Sequence, residues 1–230
     1  MSGMVKNIVI AIIFLLPALA TSILAGELPT CLTADAKTGL KAVVALHQVN
    51  DHELLARVVY AEGLSTGFGD DQLVYDAIAW GVMNRVRLGD SSHKMQLVYG
   101  QGVKGVIFKK GQFNPAISGK SPFSKSFLCP DHSGHWRMAK TAAERAIKGT
   151  GNPFIQTPWE KQHNLSLVVN FYYPKSSQAK GPFAPWEGSK SLRFTGDITM
   201  DGNILPASKI RFYRLSHSSE DLKCKKANNQ

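Results

Sequence analysis

Apolar residues along the chain recur mostly at intervals of three and four, a pattern that predicts helices with a little strand. Leu54, Leu55, Val58 and Val59 mark a first helix; Asn50 stands ready to cap it, and Glu53, three residues on, makes a variant of the capping box. Gly63 supplies its expected stop. A second helix opens at Asp70 or Asp71, with Val74, Ala77, Ile78, Val82 and Val86 as its apolar stripe. Gly81 lies inside it at a cost of about 1 kcal/mol against Ala, which predicts a close contact with another helix. Arg85 and Arg87 fall in the expected last turn, where cations suit the helix dipole, and Gly89 ends it. A short helix is expected near 103–109, and 111–129 reads as loop. Ser133 is expected to cap a fourth helix, with Trp136, Ala139, Ala143, Ala146 and Ile147 on one face. Lys140, Glu144 and Lys148 ladder another face of that helix, and Gly149 closes it. After a long connection over 149–164, the β-branched and aromatic run 165–173 reads as a strand ended by Pro174, and 210–213 as a second. The expected fold class is mainly α, an α+β arrangement with a small β element and no internal repeat.

The N-terminus predicts that this body lies outside the cytoplasm. Lys6, the apolar run 8–16, Pro17 and the small residues around Ala18 and Ala20 have the order of a secretory signal peptide. The expected division is 1–20 signal peptide, 21–50 lead-in, 51–215 catalytic domain and 216–230 polar tail. Ala25 is a second cleavage choice, and a retained anchor is the alternative to cleavage. Pro17 interrupts the apolar run before about 20 residues accumulate, so no stable membrane span is expected after processing. The chain of 230 residues carries 27 basic and 17 acidic side chains, a net +10, and loss of Lys6 leaves +9. Such a charge favours an anionic partner. Export demotes nucleic acid and leaves peptidoglycan and its associated polymers. Cys31, Cys129 and Cys224 allow at most one intramolecular disulfide, and the sequence does not say which pair forms it.

Glu62 is the most informative single residue. It falls on the apolar stripe of the first helix, three and four residues from Val59 and Val58. A carboxyl group desolvated in this way has a raised pKa, which a general acid needs near neutral pH. The spacing alone leaves open a Glu paired with an Arg, or one turned to solvent at a frayed helix end.

Several segments in fixed order settle the expectation. LARVVYAE (55–62), VMNR (82–85), GVIFKKGQFN (105–114), 142–149, NFYYP (170–174), Trp186 and IRFY (210–213) together resemble the SleB/CwlJ family of cell-wall hydrolases over roughly residues 53–213. The resemblance implies a lysozyme-like helical domain acting on peptidoglycan glycan strands, with Glu62 as catalytic acid and base and Gln112 and Phe113 in the substrate cleft. The family follows its Glu with Ala and then a Gly-Glu pair, whereas here GLSTGF (63–68) contains no acid.

That departure bears on mechanism. Glycoside hydrolysis uses two carboxyl groups, roughly 5–5.5 Å apart for retention or 6.5–9.5 Å for inversion. Of the nearest acids, Asp70 and Asp71 read as caps and Asp76 as solvated. Lytic transglycosylation needs only one carboxyl group, because the muramic acid 6-hydroxyl attacks its own C1, and this route is the expected one. Trp80 and Trp136 read as core; Phe113, Tyr172, Tyr173 and Trp186 read as cleft aromatics, with packing against the sheet as their alternative. Ser65 or Thr66 is a candidate for holding a sugar N-acetyl group. The rival chemistry is a zinc amidase using His132 and His135, although no His-Glu-x-x-His motif is present; no metal or cofactor is expected. A peptidoglycan-binding scaffold without activity is the other alternative.

Overall fold

The computed structural model describes residues 27–32 and 49–216. The expected signal peptide, most of the expected lead-in, Cys224 and the tail beyond residue 216 lie outside the described residues. Helices take 45% of the described residues and a small antiparallel sheet accompanies them, a mainly-α α+β fold.

The first helix, α1 (Asp51–Ser65), is buried along most of its length. Asn50 Oδ1 accepts the Glu53 N–H at 2.8 Å. Only half of the capping box forms, because the Glu53 carboxylate instead accepts two bonds from Arg57, at 2.9 and 2.7 Å. Gly63 does not stop the helix, which runs on to Ser65. Its role is steric: a Cβ there would sit 2.5 Å from the Tyr75 ring.

The next helix, α2 (Gln72–Ser91), is capped by Asp71, whose Oδ1 accepts the Leu73 N–H at 3.0 Å. It passes both expected end markers, so Arg85 lies inside the helix, buried, rather than at a dipole end. Gly81 does mark a close contact, but with the sheet: a Cβ there would come within 3.0 Å of the Phe171 ring. Asp76, expected in solvent, is buried and ion-paired with Arg145 at 3.1 Å.

Five short helices and one long one follow: α3 (His93–Tyr99), α4 (Gly102–Ile107), α5 (Asn114–Ile117), α6 (Ser124–Leu128), α7 (Ser133–Lys148) and α8 (Pro158–Gln162). The expected loop 111–129 thus holds two single-turn helices. In α7 the cap is His132, whose Nδ1 accepts the His135 N–H, and not Ser133. Trp136, Ala139, Ala143 and Ala146 are buried against the core, while Ile147 is exposed.

Strands β1 (Val168–Tyr172), β2 (Leu192–Phe194) and β5 (Arg211–Leu215) form an antiparallel sheet in the order β1-β5-β2. Strands β3 (Ile198–Met200) and β4 (Asn203–Leu205) form a separate pair. Two adjacent residues of α2 fasten the helix to β1. Asn84 donates to Val168 O at 2.9 Å and accepts the Ser166 N–H at 3.0 Å, and Arg85 Nε donates to Val169 O at 2.6 Å. At the far side, buried Arg57 donates to the carbonyls of Thr30, Phe127 and Leu128. Beside it, Cys31 and Cys129 form the disulfide.

Candidate active site

The C-terminal turn of α1, the middle of α2, the segment 111–123, strand β1 and the loop after it enclose a cleft of about 340 Å³. Glu62 stands in it with 7% of its surface exposed. The Tyr173 hydroxyl donates to Glu62 Oε2 at 2.8 Å. Burial raises the Glu62 carboxyl to about 7, against the opposing pulls of the Tyr173 hydroxyl and the Arg85 charge. Its place near a helix C-terminus, where carbonyl dipoles gather, disfavours negative charge as well. The spacing argument for a desolvated carboxyl group therefore corresponds to an actual environment.

Arg85, expected in the last turn of its helix, lines the cleft instead. Burial lowers its guanidinium to about 10, while the nearby Tyr99, Glu62 and Tyr173 favour the charge. It lies over the rings of Phe113 and Phe171, 5.0 and 5.1 Å from their centroids, and donates to Gln112 Oε1. With that oxygen engaged by a cation, the Gln112 side-chain amide is left as a donor. The available signal was the one that found Glu62: Arg85 falls three residues after Val82 and seven after Ile78, on the apolar stripe of its own helix.

Six of the seven expected site residues line the cleft: Glu62, Ser65, Gln112, Tyr172, Tyr173 and Trp186. Phe113 does not. It is fully buried beneath Arg85 and beside Phe171, so it supports the floor rather than forming a wall. The Ser65 hydroxyl donates to Glu62 O at 2.8 Å, closing the last helical turn. Tyr172 packs edge-on against Trp186 at 6.2 Å, and its hydroxyl donates to Gly181 O at 2.7 Å. The Trp186 indole N–H is buried without a hydrogen-bond partner among the described residues. Uncharged amides and hydroxyls also line it, at Asn114, Asn170, Gln178, Ser121 and Ser176. They carry no periodicity that a sequence pattern could reveal.

Glu62 is the single carboxylate among the described residues lining the cleft. Asp70 pairs with His135 at 2.9 Å, Asp71 caps α2 and pairs with Lys209 at 3.2 Å, and Asp76 belongs to Arg145. His132 and His135 stack with centroids 3.9 Å apart. Among the described residues no three His, Cys, Asp or Glu side chains converge on a position that could hold a metal ion. No helix among them is long and apolar enough to cross a membrane. Comparison of the chain with protein-family models, curated proteins and solved structures finds no match.

Proposed function

We propose that the protein is an exported enzyme that cleaves peptidoglycan glycan strands between N-acetylmuramic acid and N-acetylglucosamine by lytic transglycosylation. The lone buried carboxyl group of Glu62 in an open, polar cleft carries this reading. A group raised to about 7 is well matched to giving and taking a proton near neutral pH. In the proposed reaction Glu62 donates its proton to the N-acetylglucosamine O4 as the C1–O4 bond breaks. The resulting carboxylate then takes the proton of the muramic acid 6-hydroxyl, whose oxygen bonds to C1. The product is a 1,6-anhydro ring, no water is consumed, and Glu62 ends protonated as it began. A second carboxylate, which inversion or retention would use, has no counterpart among the lining residues.

Two further observations favour a carboxylate-bearing glycan. The segments on either side of the cleft contain no acid at all: 91–130 has six lysines and 161–186 has three. Lys110, Lys120, Lys175 and Lys180 each adjoin a lining residue in sequence, and among the described residues none of them is ion-paired. The amide and hydroxyl walls, with Tyr172 and Trp186, suit sugar hydroxyls, N-acetyl groups and ring faces. A lysozyme-like relationship of the helical body is part of the same proposal.

Digestion of purified sacculi by the wild type and Glu62→Gln, followed by mass spectrometry, tests it. The expected products are anhydro-muropeptides from the wild type alone. Equal digestion by both proteins would remove Glu62 from the chemistry, and reducing ends would replace transglycosylation with hydrolysis.

A further inference from the structure

A carboxyl group can hold its proton on either oxygen, but a general acid works only if the proton is on the oxygen that meets the leaving group. With Glu62 taken as the acid of the proposed reaction, we infer that Tyr173 is its positioning residue: by donating to Oε2, it confines the transferable proton to Oε1 and holds the carboxylate once the proton has left.

The bonding pattern allows little else. The Tyr173 hydroxyl has one hydrogen, and among the described residues its one hydrogen bond is to Glu62 Oε2, at 2.8 Å. A proton on Oε2 would have to be donated to the phenol oxygen, which would turn the phenol hydrogen away from its one acceptor among the described residues; a proton on Oε1 keeps that bond. Burial and the adjacent carboxylate hold the phenol well above its usual range, so it remains a donor throughout. The ring cannot easily swing aside, since it stacks on Phe171 at 5.8 Å and Pro174 fixes the backbone after it.

The other groups facing Glu62 do different jobs. Arg85, from α2, contributes charge, but its hydrogen bonds go to Val169 O and Gln112 Oε1. Tyr99, from α3, acts on Arg85. Ser65, on α1 itself, is engaged with the Glu62 backbone carbonyl. Tyr173 is thus the one hydrogen-bond donor to the Glu62 carboxyl group among the described residues.

Tyr173→Phe keeps the ring stack and removes only the oxygen. In protein labelled with 13C-carboxyl glutamate, the Glu62 titration is followed by NMR and assigned by its absence in Glu62→Gln. Loss of a donor that favours the carboxylate is expected to raise the Glu62 midpoint by about one to two pH units. Tyr60→Phe, which removes a buried hydroxyl from the same helix but one directed at Asp131 and His132, leaves the midpoint in place. On sacculi, the alkaline limb of kcat/KM moves up with the midpoint, while kcat at its optimum falls roughly tenfold or more and KM stays within about twofold. Tyr173→3-fluorotyrosine, a stronger donor, moves the midpoint down and keeps the question answerable if the oxygen is needed for folding. A midpoint that stays put in Tyr173→Phe, or moves equally in Tyr60→Phe, overturns the inference. Failure of the wider proposal looks different: sacculi digested equally with and without Glu62, whatever the titration shows.

Discussion

Glu62→Gln is expected to cost the protein its activity and yet make it more stable above neutral pH. In the unfolded chain the carboxyl loses its proton near 4.5, whereas in the folded protein it does so at about 7. Between those values the unfolded chain has ionised while the folded protein still holds its proton. Stability therefore falls as pH rises through this window, and the loss is complete above about 7. The gap of about 2.5 pH units, at about 1.4 kcal/mol each, amounts to roughly 3 kcal/mol. The folded value already contains the attraction of Arg85 and Tyr173, so those partners are not counted again. Gln mimics the protonated carboxyl in shape and charge, and its amide oxygen can still accept the Tyr173 hydroxyl.

Urea unfolding under non-oxidising, non-reducing conditions, repeated between about pH 4 and 8.5, reads this directly. At the acid end the two proteins should agree within about 0.5 kcal/mol. At the alkaline end the variant should lead by about 2–3 kcal/mol. A difference that does not change with pH would mean the carboxylate is as comfortable folded as unfolded. The physical basis for its proton at neutral pH would then be gone.

Asn84→Ala removes both bonds that tie α2 to the start of β1 and leaves Val168 O and Ser166 N without those partners. A loss of about 2–4 kcal/mol is expected in thermal or urea unfolding, with an unchanged midpoint contradicting the fastening role. Joint replacement of Lys110 and Lys120 by Glu is expected to raise KM on sacculi several-fold while kcat holds. Wild-type activity should likewise fall as salt is raised and the attraction is screened. Salt-insensitive cleavage would separate the lysines from substrate capture.

What the sequence revealed depended on how local the cause was. The first, second and fourth expected helices answer to spacings of three and four within one segment, and Glu62 was found because it sits on such a stripe. Asp76 reads as solvated because its partner, Arg145, comes from α7, and no pattern within α2 announces it. Arg85 reads as a dipole cation because Gly89 has the look of a helix stop. Gly89 in fact serves a close approach: a Cβ there would lie 2.1 Å from Gly100 O. Three strands of three residues each were too short to show alternation, and two of them pair only with each other. Phe113 lies in the expected neighbourhood but beneath the cleft, since side-chain burial in a short loop depends on what folds over it. The pairing of Cys31 with Cys129 spans 98 residues and could be known only once the chain was folded.

The neighbouring tyrosines at the end of β1 carry one last implication. Tyr173 fixes a proton, while Tyr172 ties down the loop that walls the cleft, using only main-chain groups: Gly181 O and Lys180 N. Because those anchors are backbone, the side chains of the wall are free to drift over evolutionary time without disturbing Tyr173, one residue away, or the carboxyl group it holds. Descendants of this chain can change what the cleft admits by rewriting the loop, while an insertion inside the strand would unseat both tyrosines together.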